Sequence, residues 1–467
     1  MKKILIAALV ASLGSVALPA SAAGTAKNVI FFLGDGMGPT TITASRIYRY
    51  GEGGKLTIDS LRTARIKTYS GDAQTTDSAP GMAGYQTGVR MNNEVVSMSS
   101  NTLAVAPSTD GTTSVSKSVN NCLSTNGSSV KTLLEYAIGA GKATGVVTTA
   151  RLTHATPAVN YSHVCHRDTE YEIARQAVPG GAGFNSALGN GVDVLMGGIS
   201  QYWIPYNSSG SAAEKKGRPD GRSLVNEMKA LNYNYVTDRA TLLAAPSVAG
   251  TKILGLFDQA FSQGHMSYEL DRDTTAEPSL AEMTSKAIDI LSKDTDGYYL
   301  VVEGGRIDHA LHGTDAKRAL EDTIAFDNAV KAALSKVDLN NTLIVVTADH
   351  DHTMTFNGYP IRGNPVLDIV RNYTDGKPAT DLDGKTFSTL VFGVSPNRPT
   401  TRADVTSAQA LATGYLQEGV VKATCTGCEP HGGGDVPFFS IGAESSNFKG
   451  TMHNSRIFSL LKSAMGF

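Results

Sequence analysis

The sequence lacks a strong charge of either sign, and this absence excludes one large class of function. Its 467 residues include 41 Lys and Arg against 43 Asp and Glu, which gives a formal net charge of −2. No run of basic residues interrupts this balance. A near-neutral chain without a basic run gives no support to a role in nucleic-acid binding.

Long hydrophobic runs are also absent beyond the N-terminal segment. A membrane-spanning helix needs about 20 consecutive apolar residues. The apolar run Ile4–Leu18 follows Lys2-Lys3 and precedes the small residues Ala20-Ser21-Ala22, which is the pattern of a signal peptide over residues 1–22. We therefore expect a mature chain of residues 23–467 that has no membrane anchor and is periplasmic or secreted.

Cysteine is scarce, with only Cys122, Cys165, Cys425 and Cys428. In an oxidising compartment this even number permits disulfides. The Cys425-Thr-Gly-Cys428 motif has no second C-x-x-C partner and no neighbouring thioredoxin-like unit, so a small local disulfide is favoured over a redox pair or half of a zinc site. Cys122 with Cys165 then follows only by elimination, and the sequence does not fix the pairing.

Internal repeats and interdomain linkers are missing too, so residues 23–467 are expected to form one domain. Apolar runs typical of buried strands alternate with helix-like segments. This alternation predicts an α/β fold with a large, mostly parallel central sheet and helices on both faces. Residues 356–418 are rich in Gly, Pro and Asp turns and are expected to form an irregular insertion.

A glycine-rich turn follows the first predicted strand. The apolar residues 28–33 run into Gly34-Asp35-Gly36-Met37-Gly38. The turn lacks the lysine of a P-loop and the spacing G-x-G-x-x-G, so a phosphate-cradling loop is not favoured. It places Asp35 at a strand tip, where ligands bind in open α/β sheets. The alternative is an ordinary turn aspartate.

The stretch from Tyr298 to His312 is the most informative. Its apolar run ends on Glu303, two glycines follow, and a helix pattern begins near Asp308. Asp308 and His312 are four residues apart and therefore project from the same helical face. This set of carboxylates and an imidazole suits a divalent metal, although an acidic first helical turn is also common without one.

The same arrangement recurs later in the chain. The apolar run Thr342–Thr347 leads into Asp349 and His350, with His352 close behind, and His431 stands in a glycine-rich loop before the last predicted strand. Several carboxylates and imidazoles without cysteine suit zinc with a harder ion, such as magnesium, beside it.

Ser78 has no adjacent histidine. It precedes small residues that could start a helix, so a helix cap is the simplest interpretation of its local sequence. A serine hydroxyl is a weak nucleophile at its free pKa. No adjacent histidine supplies the activation, but a metal ion could.

In combination, these motifs resemble those of the alkaline phosphatase family, from about Asn28 to the C-terminus. The matching segments, in the order of the family, are Gly34–Gly38, Thr76–Ala79, His154–Pro157 with Arg167 downstream, Val302–Gly304 with Asp308 and His312, Thr347–His350, and His431–Gly433. The resemblance implies an α/β/α sandwich and an enzyme that hydrolyses phosphate monoesters to an alcohol and inorganic phosphate through a phosphoserine intermediate.

The resemblance also implies a role for each site residue. Ser78 would be the nucleophile, and Arg167 would hold the phosphate. One zinc ion is expected at Asp308, His312 and His431, a second at Asp35, Asp349 and His350, and a third ion, usually magnesium, at Asp35, Thr156 and Glu303.

Three further histidines, His154, His309 and His352, are expected to lie directly behind the ligands and orient them. His154 and His309 stand where one bacterial branch of the family has aspartate and lysine, and vertebrate-type members resemble this chain at both positions. His154 therefore leaves the identity of the third metal open. Relatives are commonly homodimers, so a homodimer is expected.

Three alternatives compete with this interpretation. A sulfatase requires an arginine where Met82 stands. A phosphodiesterase would use threonine as its nucleophile and would lack the third metal set, against which Thr156 with Glu303 argues. A secreted zinc or phosphate carrier would need no activated serine. The sequence does not identify the physiological ester, because such sites bind mainly the phosphoryl group.

Overall fold

The computed structural model describes residues 26–257 and 264–467. The predicted signal peptide, residues 1–22, lies outside the described residues. The strands are β1 (Asn28–Gly34), β2 (Arg62–Lys67), β3 (Ala143–Arg151), β4 (Val194–Gly198), β5 (Tyr233–Val236), β6 (Lys252–Phe257), β7 (Tyr298–Gly304), β8 (Thr342–Thr347), β9 (Asp351–His352), β10 (Met354–Phe356), β11 (Leu390–Ser395), β12 (Gly419–Lys422), β13 (His431–Gly432), β14 (Val436–Gly442) and β15 (Thr451–His453). The helices are α1 (Pro39–Tyr50), α2 (Ser78–Thr87), α3 (Leu133–Gly139), α4 (Ala155–Ala158), α5 (Glu170–Gln176), α6 (Leu224–Ala230), α7 (Arg239–Ala244), α8 (Leu280–Leu291), α9 (Arg306–His312), α10 (Ala316–Leu334), α11 (Ser407–Ala410) and α12 (Asn454–Ala464).

The described strands build a ten-stranded sheet in the order β15-β2-β14-β8-β1-β7-β3-β4-β6-β5. The run from β8 to β5 is parallel, and β14 is antiparallel to both of its neighbours. The expected α/β fold with a large, mostly parallel sheet is therefore confirmed. The central strands β1, β7 and β8 carry buried apolar runs because both of their faces are covered.

Helices cover both faces of the sheet, as side chains of β1 illustrate. Successive residues of a strand point to opposite faces. The Phe31 ring lies 5.5 Å from that of Tyr85 in α2, and the Phe32 ring lies 5.9 Å from that of Phe326 in α10. Both phenylalanines are fully buried, and truncating either to alanine would cost about 3–5 kcal/mol.

The register of the sheet brings three strand ends to one edge. Leu33 of β1 pairs with Glu303 of β7 on one side and with Thr347 of β8 on the other. Because all three strands are parallel, the residues that follow them emerge at the same edge. The chain therefore delivers Asp35, Glu303 and Asp349 to neighbouring positions from distant parts of the sequence.

Residues 356–418 include strand β11 and the short helix α11, and β10, β11 and β12 form a separate three-stranded sheet. Cys122 is bonded to Cys165, and Cys425 to Cys428, so the pairing that elimination suggested is the one found. Within the described ranges, no helix has the length and apolar character needed to cross a bilayer.

Candidate active site

Asp308 on helix α9 lies close to the ring nitrogens of three histidines. Asp308 is 3% exposed, and its Oδ1 lies 3.3 Å from Nε2 of His312, 2.8 Å from Nε2 of His352 and 3.6 Å from Nε2 of His431. Nε2 of His431 lies 3.1 Å from Nε2 of His312. One potential ligand atom from each of the four residues falls within 4.8 Å of the others, which is compact enough to hold a zinc ion.

The second predicted set shares this edge of the sheet. Nε2 of His350 lies 3.3 Å from Oδ1 of Asp35, 3.7 Å from Oδ2 of Asp349 and 4.0 Å from Oδ1 of Asp308. Asp349 accepts backbone hydrogen bonds at Oδ1 from Gly36 and His350, both at 3.1 Å. These bonds hold the carboxylate in place and leave Oδ2 for another partner.

A third group lies on the other side of Asp35. Oδ2 of Asp35 accepts a hydrogen bond of 3.3 Å from the Thr156 hydroxyl, and Thr148 donates to Oε2 of Glu303. Ligand atoms of Asp35, Glu303 and His154 fall within 4.8 Å of one another. Asp35 thus stands between the second and third predicted sets and could contribute an oxygen to each.

The donor sets fit cations. Oε1 of Glu303 and Oδ2 of Asp349 are buried and accept no hydrogen bond from the described residues. Burial and the charge of Asp35 raise the pKa of both carboxyls well above their usual range. Three carboxyls buried so closely repel one another when ionised, and a divalent ion removes that repulsion.

The histidines divide by their surroundings. Burial lowers the pKa of His350, but Asp349 and Asp35 outweigh it and raise the value to about 9. Burial also acts against His352, yet Asp308 and Glu429 raise its pKa to about 10. These values report a concentration of negative charge around the rings, which is the environment that a metal cation would occupy.

Ser78 is the first residue of helix α2. Its N-cap is Asp77, whose Oδ1 accepts a hydrogen bond of 2.7 Å from the Ala79 backbone N–H. The Ser78 hydroxyl lies 3.3 Å from Oδ1 of Asp35 and 3.2 Å from Nε2 of His350. The helix start therefore places Ser78 directly against the second set.

Arg167 stands beside the same helix start. It donates hydrogen bonds of 3.2 Å to Oδ1 of Asp77 and 2.9 Å to Nε2 of His154. Burial opposes the charge of Arg167, but neighbouring carboxylates led by Asp77 outweigh it and raise the pKa of its guanidinium. The guanidinium therefore keeps its positive charge near Ser78. The side chain is 17% exposed.

The structure adds residues that the sequence did not reveal. Glu429 is 1% exposed, accepts a hydrogen bond of 2.5 Å from Nδ1 of His352, and accepts another from His312 at its backbone carbonyl. The only sequence signal was its position two residues before His431. His265 was also missed, and its ring lies 4.0 Å from that of His309.

A buried serine, a fixed guanidinium and three groups of metal-ligating side chains lie together at the carboxyl edge of a parallel sheet. This arrangement defines an α/β metal-dependent hydrolase that acts on an anionic ester, because serine can attack, metals can activate it, and arginine can bind an oxyanion.

Comparisons with known proteins agree. The family model described as alkaline phosphatase matches residues 26–467. The chain is 36% identical over 442 residues to the tissue-nonspecific isozyme of alkaline phosphatase from Gallus gallus, covering 89% of this chain and 80% of that protein. It is 35% identical over 442 residues to alkaline phosphatase of Gadus morhua, covering 89% and 87%. The chain belongs to the alkaline phosphatase family, whose members hydrolyse phosphoric monoesters.

Solved structures share the fold. The alkaline phosphatase of the Antarctic bacterium TAB5 aligns with a TM-score of 0.64 at 23% identity, covering 95% of this chain and 99% of that chain. That of Thermus thermophilus aligns with a TM-score of 0.66 at 22% identity, covering 95% and 92%.

Proposed function

We propose that this phosphomonoesterase works through a phosphoserine formed on Ser78, with two zinc ions and a third ion, magnesium, in its site. One observation carries the proposal. The Ser78 hydroxyl lies within 3.3 Å of both Asp35 and His350, and a zinc ligated by these two residues would contact the serine oxygen directly.

The proposal assigns the ligands as follows. Asp308, His312 and His431 hold one zinc, Asp35, Asp349 and His350 hold the second, and Asp35, Thr156 and Glu303 hold the third ion. Asp308 also lies 4.0 Å from His350, which supports adjacent zinc ions. Zinc ions bound in this way would supply Lewis acidity that lowers the pKa of the serine hydroxyl and of the hydrolytic water and stabilises the leaving oxygen.

The chain itself supplies the nucleophile and the orientation. Ser78 attacks phosphorus and later gives up the phosphoryl group to water, so the product alcohol leaves first and phosphate second. Arg167 presents a planar pair of donors to two phosphoryl oxygens, which lysine does not reproduce. Asp77 and His154 hold that guanidinium in place.

Histidines behind the ligands position them. His352 joins Asp308 to Glu429 by hydrogen bonds of 2.8 and 2.5 Å. Loss of such an outer partner typically lowers metal affinity about 10- to 100-fold. His154 contacts the proposed phosphate-binding Arg167, and the His309 ring lies 5.3 Å from that of His154. Magnesium as the third ion is supported by the oxygen donors of Asp35, Thr156 and Glu303, which suit a hard cation.

Residues 23–467 are proposed to be one catalytic domain of a homodimer, with an insertion at 356–418 that is a candidate for the dimer interface or for the rim of the substrate site. If light scattering at the concentration used in the assay gives the mass of a monomer, the proposed homodimer is wrong. Cleavage after residue 22 and a periplasmic or secreted location are also proposed, supported by the two disulfides. Mass spectrometry of the extracytoplasmic protein tests both, and an intact N-terminus would refute cleavage.

The decisive experiment compares p-nitrophenyl phosphate, bis-p-nitrophenyl phosphate and p-nitrophenyl sulfate at alkaline pH. Each is assayed before chelation, after it, and after zinc and magnesium are restored. We expect dominant monoesterase activity that disappears on chelation and returns with the metals. Dominant diester or sulfate turnover would overturn the substrate assignment, and no turnover with metals bound would point to a carrier.

A further inference from the structure

A cleft of about 570 Å³ opens beside the first predicted zinc set. His312 belongs both to that set and to the wall of the cleft. Its side chain is 28% exposed, against 4% for Asp308, 0% for His352 and 13% for His431. The first predicted zinc set is therefore accessible to solvent from this cleft, at His312.

The cleft lies where a leaving group would go. In the proposed function, the zinc held by Asp308, His312 and His431 stabilises the oxygen that departs from phosphorus. The alcohol attached to that oxygen extends through the open side of the set, past His312. The cleft residues should then contact the alcohol portion of the ester.

Arg306 is the unusual residue in the wall of this cleft. It is 5% exposed and forms no direct ion pair with any residue of the described ranges, although the charges of Asp322 and Glu277 act on it from farther away. Its guanidinium carbon stacks 3.7 Å from the centre of the Tyr268 ring, and Nη1 lies 3.3 Å from Nδ1 of His309. Its Nε–H finds no acceptor among the described residues. A buried cation that lacks a direct ion pair gains from the negative charge of a bound ligand.

The other arginine of the cleft differs in this respect. Arg318 lies 2.7 Å from Oδ2 of Asp271 and also pairs with Asp315. Two carboxylates already compensate its charge, so it has little to offer a ligand. Arg306 is thus the arginine of the cleft that has no direct ion pair, and its guanidinium is held against the face of Tyr268.

We propose that Arg306 binds a second anionic group on the leaving alcohol, so that the enzyme prefers phosphate monoesters whose alcohol carries a carboxylate or a further phosphoryl group. This inference rests on the proposed function, because it places the leaving oxygen at the set that includes His312. It names a substrate class that the phosphoryl-binding residues alone do not select.

Non-hydrolysable inhibitors test the proposal on the intact, metal-loaded enzyme. ω-Carboxyalkylphosphonates with a two-, three- or four-carbon spacer are each compared with the alkylphosphonate of the same length, using p-nitrophenyl phosphate as substrate. A parallel series of alkane bisphosphonates distinguishes a phosphoryl group from a carboxylate. Hydrogen bonds between charged groups are worth about 1.5–3 kcal/mol, so at least one length should show a competitive Ki roughly tenfold lower with the second anion.

Two substitutions assign the effect to Arg306. R306M should abolish the preference, and R306K should keep part of it, because lysine retains the charge but loses the planar fork. Zinc content and the Ki of the simple alkylphosphonates should stay near the wild-type values in both. If R306M loses its metals, the proposal is tested instead by comparing the paired inhibitors of equal length in the wild type and in R306K.

The outcomes separate the two proposals. No preference at any length in the wild type, or a preference that survives in metal-loaded R306M, overturns the role of Arg306 and leaves the phosphatase intact. Absence of p-nitrophenyl phosphate hydrolysis in the metal-loaded wild type would remove the proposed function and this inference together.

Discussion

Asp308 shows how much of the site depends on a single side chain. Its Oδ1 is within 4.0 Å of ring nitrogens from His312, His350, His352 and His431. Burial opposes ionisation, but the histidines, led by His312, outweigh it and lower the pKa of Asp308 well below its usual range. The carboxylate stays ionised and available to a cation over the whole working range.

Replacing the proposed nucleophile should separate metal binding from catalysis. Ser78→Ala should lower kcat for p-nitrophenyl phosphate by roughly 10³-fold or more, because no other hydroxyl is proposed to attack phosphorus. Zinc content should change little, because Asp35, Asp349 and His350 remain to hold the second proposed zinc. Ser45→Ala, a change of another buried serine, is the matched control and should retain activity. Full activity in Ser78→Ala would refute the phosphoserine route.

Asp322 should make stability depend on pH. Burial raises its pKa to about 8 against the opposing charge of Arg306. A carboxyl with a pKa near 4 when unfolded and higher when folded favours the folded state most at low pH, and this contribution is lost as pH rises from about 4 to about 8.

Asp322→Asn should therefore flatten the fall of the free energy of unfolding between about pH 4 and pH 8. The amide oxygen can still accept the hydrogen bond of 3.2 Å from the Glu269 backbone. Denaturant unfolding at several pH values measures the slope. Asp289→Asn, at a side chain that is 46% exposed, is the control. An unchanged slope in Asp322→Asn would show that this carboxyl is already ionised.

The sequence predicts ligands better than the residues behind them. His431 stands out among glycines, whereas nothing marks Glu429 as the partner of His352. That contact depends on the pairing of β13 with β9, in which His431 lies opposite His352. Such pairing is set by tertiary structure and leaves no local pattern to find.

At the level of elements, buried strands are the predictable part of this fold. β7 and β8 are buried along their whole lengths and carry apolar runs because both faces are covered. β2 was missed, because in Arg62–Lys67 only Ile66 is buried and the remaining side chains are polar or small and largely accessible. A strand that packs through one side chain carries no periodic signal.

The loop closed by Cys425 and Cys428 directly precedes the segment that carries Glu429 and His431. The double change C425S/C428S should therefore weaken zinc affinity by about 10- to 100-fold, the usual effect of disturbing groups behind a metal ligand. Its effect on overall stability should be small, because the bond spans a sequence separation of only 3. Zinc titration and thermal unfolding measure the two effects.

The other disulfide offers the opposite expectation. Cys122 and Cys165 are separated by 43 positions, so C122S/C165S should cost about 2–4 kcal/mol of stability while changing zinc affinity little. Equal zinc affinity in C425S/C428S and in the wild type would show that the short loop does not position Glu429.

For the whole molecule, metal removal should lower thermal stability as well as activity. Chelation leaves Asp35, Glu303 and Asp349 buried together without compensation, so the melting temperature should fall by several degrees. Each ion present at 100 times its dissociation constant adds about 2.7 kcal/mol. Calorimetry with and without chelator, followed by zinc and magnesium, measures the loss and its recovery. A melting temperature indifferent to chelation would contradict tight binding at these sites.

The place of β1 has a consequence for how the chain is made. The strand is among the first segments to be synthesised, yet its neighbours β7 and β8 follow only after more than half of the chain. Until then Phe31 and Phe32 have no partner strands, and long-range pairing of this kind is slow and prone to aggregation. A nascent chain stalled before Thr342 should therefore need a chaperone. It should also retain no zinc, because Asp349, His350 and His431 follow Thr342, so zinc binding should occur only when synthesis is nearly complete.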